Sequence, residues 1–237
     1  MMSASSKNRR LILVRHGQSE WNLKKLFTGW EDVPLTDKGI DEAIKAGQDL
    51  KAFLKDDAIA NMKVYTSVLE RAIDTCDLIL KECDSKWLSV ARSWRLNERH
   101  YGDFQGQNKD EVKESVGDEA FLAYRRSYDG PPPIITREDP SVENIKYSNV
   151  PVAELPKSES LKEVLDRVKP FYVDNIYRDL QNNQTVLVVA HGNSLRALIK
   201  YVSEMTSEEI VTFELPTGEP MVLELDENMK FQNKYFL

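Results

Sequence analysis

The apolar positions of this chain fall into two kinds of run. Leu11-Ile12-Leu13-Val14 and Val186-Leu187-Val188-Val189-Ala190 are short and unbroken. Strands without alternation are buried on both faces, as in a parallel sheet covered by helices. Other stretches repeat at helical spacing. After Thr36, a residue suited to capping, apolar or small side chains recur at Ile40, Ala43, Ile44, Gly47, Leu50, Phe53 and Leu54, which is one face of an amphipathic helix. A strand is expected over 62–65 and a helix over 68–83, completing β-α-β-α. Late in the chain a helix over 194–202 follows the second unbroken strand, and 221–225 and 235–237 read as short strands.

Residues 130–156 break this pattern. Pro131, Pro132, Pro133, Pro140, Pro151 and Pro156 punctuate a segment with little apolar periodicity, so a long irregular loop is expected. Loops of this length in compact domains are usually functional lids or disordered. The 237 residues suit one α/β domain. The polar start, 1–9, is expected to be flexible, and no stretch approaches the roughly 18 apolar residues of a membrane span.

Charge and cysteine content narrow the function classes. A net charge of −7 argues against a nucleic-acid binder, so an anionic ligand must be drawn in by a local cluster of Arg and Lys. Trp21, Trp30, Trp87 and Trp94 accordingly read as packing groups rather than base-stacking platforms. Cys76 and Cys83, seven residues apart on the expected helix, stand about 10 Å apart along its axis, too far for a disulfide. A reducing, cytoplasmic location fits. The three histidines lack a second ligand at helical spacing, which disfavours a zinc site.

Two of those histidines head equivalent positions. The first strand ends at Arg15-His16-Gly17 and the late one at His191-Gly192-Asn193. Taken alone, each His-Gly is more simply a structural histidine at a turn. Two at matching topological positions, one behind Arg15, point to a shared site, because ligands of open α/β sheets lie outside the carboxyl ends of the strands. Histidine suits phosphoryl capture: its ordinary pKa of about 6.5 leaves much of it neutral and nucleophilic. Phosphoryl transfer asks mainly for in-line positioning and charge neutralisation, which arginine provides through its fork.

The segment Leu13-Val14-Arg15-His16-Gly17-Gln18-Ser19-Glu20-Trp21-Asn22 resembles the signature of the histidine phosphatase superfamily, and Phe27-Thr28-Gly29-Trp30 continues it in the manner of its phosphoglycerate mutase branch. Further matches are Tyr65-Thr66-Ser67 with Arg71-Ala72, Trp94 through Gly102, Arg125-Arg126-Ser127-Tyr128-Asp129, Glu159-Ser160-Leu161, Ala190 through Arg196 and Pro216-Thr217-Gly218. The resemblance implies a three-layer α/β/α fold with a mostly parallel central sheet. It implies His16 as the phosphorylated nucleophile, with Arg15, Arg71 and His191 around its phosphate and Asn22 and the Gly192 N–H as further donors. Glu98 takes the place of the proton donor and acceptor. Tyr101, Lys109, Arg125 and Arg126 match the group holding the substrate's carboxylate and second anionic end, Ser19, Thr28 and Gly29 line the glycerate, and Asn193 joins the substrate contacts. As an isolated pair, Arg125-Arg126 reads as a solvated helix face, and Lys109 lies in an ordinary helix start; the resemblance raises both to ligand contacts. His100 is expected to serve a structural hydrogen bond.

The activity so implied is interconversion of 3-phosphoglycerate and 2-phosphoglycerate, primed by 2,3-bisphosphoglycerate and without a metal. Bisphosphoglycerate synthase or phosphatase activity is the neighbouring reading, and a non-catalytic phosphometabolite-binding protein the more distant one. The resemblance further implies a homodimer or homotetramer with small phosphoglycerates as its only ligands.

Overall fold

A computed structural model describes residues 8–237. Six strands, β1 (Arg9–Arg15), β2 (Lys63–Thr66), β3 (Val90–Arg92), β4 (Val186–Ala190), β5 (Met221–Leu225) and β6 (Phe231–Phe236), form one sheet in the order β3-β2-β4-β1-β5-β6. The four strands from β3 to β1 are parallel, and β5 and β6 continue the sheet antiparallel. The expectation of a flexible start over 1–9 is corrected at its end, since β1 already begins at Arg9; residues 1–7 lie outside the described residues.

The helices follow in chain order: α1 (Glu20–Leu23), α2 (Asp37–Phe53), α3 (Asp56–Ala60), α4 (Glu70–Glu82), α5 (Lys109–Val116), α6 (Asp118–Arg126), α7 (Leu161–Phe171), α8 (Tyr177–Gln181), α9 (Gly192–Val202) and α10 (Ser207–Thr212). Residues Tyr172–Ile176 join α7 to α8 through a π-helical stretch just after Pro170, whose ring and missing N–H disturb the regular ladder. Two apolar layers explain the unbroken runs. Leu11, Leu13, Val186 and Val188 face α7, α8 and α9 through Val164, Val168, Leu180 and Leu198, whereas Ile12, Val14, Leu187 and Val189 face α2, α3 and α4 through Leu50, Ile59 and Ile79. Alternate residues of each strand thus enter opposite cores, and both must be apolar. Of the tryptophans, Trp30 is buried as expected, but Trp87 stands 67% exposed and is no packing group. Both cysteines are free and buried.

A smaller cluster of Phe27, Phe104, Val112 and Phe121 binds α5 and α6 to the segment after α1. It matters because α5 begins with Lys109 and α6 ends with Arg125 and Arg126.

The strand-ends are brought together by register. Arg15 pairs with Ala190 across neighbouring parallel strands, and the His16 N–H donates to the Ala190 carbonyl at 2.9 Å. His16 and His191 therefore leave the sheet side by side. The turn after His16 is pressed against the first turn of α2: a Cβ on Gly17 would stand 2.1 Å from the Gly39 carbonyl oxygen, and one on Gly39 equally close to that of Gln18. Gly39→Ala is expected to lower the unfolding free energy by about 1–3 kcal/mol through forced displacement of this backbone, measurable by urea denaturation.

Residues 130–156 are irregular apart from two short turns, at Ile145–Tyr147 and Val152–Glu154. They are anchored to what lies beneath them. His100 Nε2 bonds Asp139 at 2.7 Å, Gln105 Nε2 donates to Ser141 Oγ at 3.1 Å, and Asn97 Nδ2 donates to the Tyr147 hydroxyl at 2.9 Å. The loop thus braces the segment that carries Glu98 and Tyr101.

Candidate active site

Beyond the carboxyl ends of β1 and β4 lies a pocket whose wall includes Arg15, His16, Asn22, Thr28, Gly29, Arg71, Glu98, Tyr101, Lys109, Arg125, Arg126, Gly192 and Asn193. Residues far apart in the chain meet here because each sits at an element's end on one side of the sheet. No residue of 130–156 lines it, so the lid expected from loop length is corrected to a support behind the wall.

At its floor His16 is almost fully buried. Its Nδ1 lies 2.7 Å from the Gly17 carbonyl oxygen, and its Nε2 accepts from Arg71 Nε at 3.3 Å. A carbonyl can only accept, so the proton resides on Nδ1 and the Nε2 lone pair is left as nucleophile. Burial, then the charges of Arg71 and Arg15, hold the His16 pKa well below its ordinary value, outweighing the Gly17 carbonyl. The ring is therefore neutral at physiological pH. His191 stands beside it with ring centroids 5.0 Å apart, fully buried behind the wall. Its Nε2 meets Ser67 Oγ at 2.7 Å, and burial with the nearby arginines and His16 lowers its pKa likewise.

Backbone carbonyls aim the arginines. Arg71 donates to the carbonyls of Glu31 and Gly29 at 2.8 and 2.9 Å, and Arg15 to that of Leu215 at 3.0 Å. Burial, the first cause, brings the Arg71 pKa down to about 10, still charged at neutral pH. Thr75 Oγ accepts from the Gly17 N–H at 3.1 Å and donates to the Arg71 carbonyl at 2.7 Å, tying the turn to α4.

Glu98 is fixed from behind and in front. Its carbonyl accepts from Trp30 Nε1 at 2.7 Å and from Arg167 at 2.8 Å, while Oε1 accepts from the Arg99 and Asn193 N–H groups at 2.8 and 3.1 Å. Oε2 is left to face the pocket by Gly192. Asn193 also donates to the Tyr101 hydroxyl at 3.0 Å and accepts from Arg196 at 3.1 Å. The first residues of α9 thus set a helix N-terminus, favourable to anions, against the same space.

Two of the expected residues do not reach the wall. Ser19, expected to line the glycerate, is fully buried and caps α1: its Oγ accepts from the Asn22 N–H at 3.2 Å and Asn22 Oδ1 accepts from its N–H at 3.1 Å. His191 acts from one layer further in. Thr28 and Gly29 do line the pocket, Gly29 at φ +55° with its carbonyl turned to Arg71. Arg125 and Arg126 project into the pocket rather than forming a solvated face.

Three wall residues were not among those expected: Arg196, Glu214 and Leu215. Arg196 lies four residues after Gly192, one helical turn along the same face, a signal available in the sequence. Nothing in the spacing connects Glu214 to Arg126, its partner at 2.5 Å.

Among the described residues no cluster of three His, Cys, Asp or Glu side chains is placed to hold a metal ion. No helix there is long and apolar enough to cross a membrane.

The chain is 48% identical over 230 residues, 96% of its length, to 2,3-bisphosphoglycerate-dependent phosphoglycerate mutase of Staphylococcus aureus strain JH9, covering 99% of that protein, and equally similar to that of strain Newman. Among solved structures it resembles mycobacterial hydrolase 1 (TM-score 0.72, 21% identity, 95% of this chain and 96% of that one). It also resembles mycobacterial glucosyl-3-phosphoglycerate phosphatase in complex with VO3 (TM-score 0.68, 22% identity, 91% and 92%). These two likenesses speak to the fold alone. The profile of the histidine phosphatase superfamily (branch 1) matches residues 11–235, and the chain belongs to that superfamily.

Proposed function

We propose that this protein is a 2,3-bisphosphoglycerate-dependent phosphoglycerate mutase, interconverting 3-phosphoglycerate and 2-phosphoglycerate as its relatives' name indicates. The observation that carries the reading is a neutral histidine whose unprotonated Nε2, met by Arg71 Nε, stands at the floor of an arginine-walled pocket that also holds one buried carboxylate, Glu98.

The donor set suits a doubly anionic ligand. Arg15 Nε, Arg196 Nε, Thr28 Oγ1 and His191 Nδ1 are buried without a hydrogen-bond partner. Buried polar groups are seldom left unmatched, and phosphate and carboxylate oxygens are the acceptors needed by the three on the wall, Arg15, Arg196 and Thr28. When bound, 2,3-bisphosphoglycerate supplies the phosphoryl group that primes His16.

His16 is assigned as nucleophile. Its Nε2 attacks phosphorus in line with the bridging oxygen. The N–P bond forms as the P–O bond breaks, and the electron pair leaves on that oxygen. Glu98 is assigned the proton that the oxygen receives, and takes one back from the hydroxyl attacking in the reverse sense. Arg15, Arg71, Asn22 and the Gly192 N–H are assigned to the equatorial phosphate oxygens, and His191 to backing the His16 ring from one layer further in. Tyr101, Lys109, Arg125 and Arg126 are assigned to the carboxylate and second anionic end, with Thr28, Gly29 and Asn193 beside the glycerate. Residence in the cytoplasm, a single domain and assembly as a homodimer or homotetramer belong to the same proposal.

The test is a coupled assay from 3-phosphoglycerate with and without 2,3-bisphosphoglycerate, paired with intact mass measurement after incubation with the bisphosphate. Turnover dependent on the primer and one added phosphate are expected. A non-catalytic binder takes up none.

Lys109 adds a pH dependence. Burial first, then Arg125 and Arg15, bring its pKa down to about 8. Its charge is present below that value and lost above it, so KM for 3-phosphoglycerate is expected to rise as pH increases through about 8. Lys109→Gln should raise KM below that pH, converge with the parent above it and so flatten the rise, in KM measured across the range at constant ionic strength.

A further inference from the structure

The reaction described above has no use for Glu214. Arg15, Arg71, Lys109, Arg125, Arg126 and Arg196 make the wall cationic, and Glu98 is its other carboxylate. Glu98 is buried and pinned by two backbone N–H groups. Glu214 is different: its side chain is 66% exposed, and Oε1 rests 2.5 Å from Nη2 of Arg126, whose own side chain is 28% exposed.

That asymmetry has a consequence. Arg126 ends α6, which is packed through Phe121 into the aromatic cluster, so its guanidinium belongs to the wall. Glu214 precedes Leu215, whose carbonyl anchors Arg15, so its backbone is held while its carboxylate is free to turn into solvent. Exposed ion pairs of this kind are weak. A guanidinium can meet two carboxylates on separate edges, but with Glu214 already on Nη2 a second carboxylate there is repelled by the like charge of the first. Glu214 and a ligand's carboxylate therefore compete for the same group on Arg126.

We propose that Glu214 is a built-in competitor for the ligand's second anionic end: it occupies Arg126 in the free protein and is displaced when a ligand carrying both a phosphate and a carboxylate binds. The inference rests on the proposed function only in taking Arg126 as the counter-charge for that carboxylate. Displacement lowers affinity for such ligands by roughly two- to fivefold, the fold-change corresponding to an exposed ion pair. A ligand with phosphate alone, seated at His16, leaves the Arg126–Glu214 pair closed. The carboxylate thus weakens retention of substrate and product selectively, favouring release.

The experiment is calorimetric titration of the full chain with 3-phosphoglycerate and, separately, inorganic phosphate. It compares the parent, Glu214→Gln, Arg126→Gln and the double variant. Glu214→Gln is expected to bind 3-phosphoglycerate two- to fivefold more tightly and phosphate with smaller change, and in the Arg126→Gln background the gain should vanish. Weaker or unchanged 3-phosphoglycerate binding in Glu214→Gln overturns the proposal, showing that Glu214 orients Arg126 or is idle. An equal gain for phosphate, or a gain that survives without Arg126, also overturns it, reducing the effect to net charge. Parent protein that binds phosphate but not 3-phosphoglycerate overturns the mutase reading together with this one, whereas parent binding of both without tightening in Glu214→Gln overturns this one alone.

Discussion

Replacing His16 with Ala is expected to reduce mutase turnover by at least about 10⁴-fold, as removal of a nucleophile from a unit of interdependent groups does, and to abolish phosphate uptake in the intact mass. The reason lies in the tautomer. The Gly17 carbonyl holds the proton on Nδ1 and so leaves Nε2 as the one lone pair at the pocket floor. His191 stands close by, yet it is buried behind the wall with its Nε2 turned to Ser67, so it does not substitute. Because burial and two arginines keep the His16 pKa well below 6.5, the nucleophile stays neutral as pH falls through that value. Phosphate uptake by the parent protein should therefore show no half-loss at about pH 6.5, and its acid limb should lie lower. Circular dichroism of His16→Ala separates lost chemistry from lost fold. A variant that keeps parental turnover would remove His16 from the reaction.

The convergence of His16 and His191 was legible in the sequence for a physical reason. A strand buried on both faces shows as an unbroken apolar run, and β1 and β4 are the two clearest such runs. Their ends carry matching dipeptides, and parallel pairing with Arg15 opposite Ala190 then places the two rings together. The helices after them were legible from periodicity, with α2 capped by Thr36 as read. What was not legible has equally physical causes. β3 is three residues long at the sheet edge and largely exposed, without an apolar signature. The helical stretch from Leu161 to Gln181 is interrupted by Pro170 and a π-helical segment, which shifts its apolar phase.

The site divides along the same line. Residues on element ends near a motif, such as Arg71 at the start of α4 or Lys109 at the start of α5, were reachable through the resemblance, because local contacts hold them, the Glu31 and Gly29 carbonyls for Arg71 and the Asn108 cap of α5 for Lys109. Ser19 shows the limit: its hydroxyl lies in the signature but is consumed by the α1 capping box. The role of 130–156 escaped because loop length speaks of irregularity and not of location. Asp139, Ser141 and Tyr147 meet partners some 36 to 50 residues away, pairings that no spacing rule anticipates. Glu214 and Arg126, 88 positions apart in the chain, escaped for the same reason.

The second large effect concerns Glu98→Gln, which preserves shape and removes the transferable proton. Gln retains an oxygen able to accept from the Arg99 and Asn193 N–H groups as Glu98 Oε1 does, and the backbone stays held by Trp30 and Arg167. Ground-state binding should therefore persist, with KM for 3-phosphoglycerate within about threefold of parental, while kcat falls by about 10²–10⁴-fold, the span usual for loss of a positioned general acid and base. The dependence on leaving group sharpens the test. The alkoxide of a glycerate needs its proton as the P–O bond breaks, whereas p-nitrophenolate departs without one. Phosphorylation of His16 by p-nitrophenyl phosphate, read as the burst of p-nitrophenolate, should consequently be slowed far less than turnover of 3-phosphoglycerate. Equal loss with both donors would mean that Glu98 orients the phosphoryl group or its arginines rather than moving a proton, since a misplaced electrophile penalises every leaving group alike.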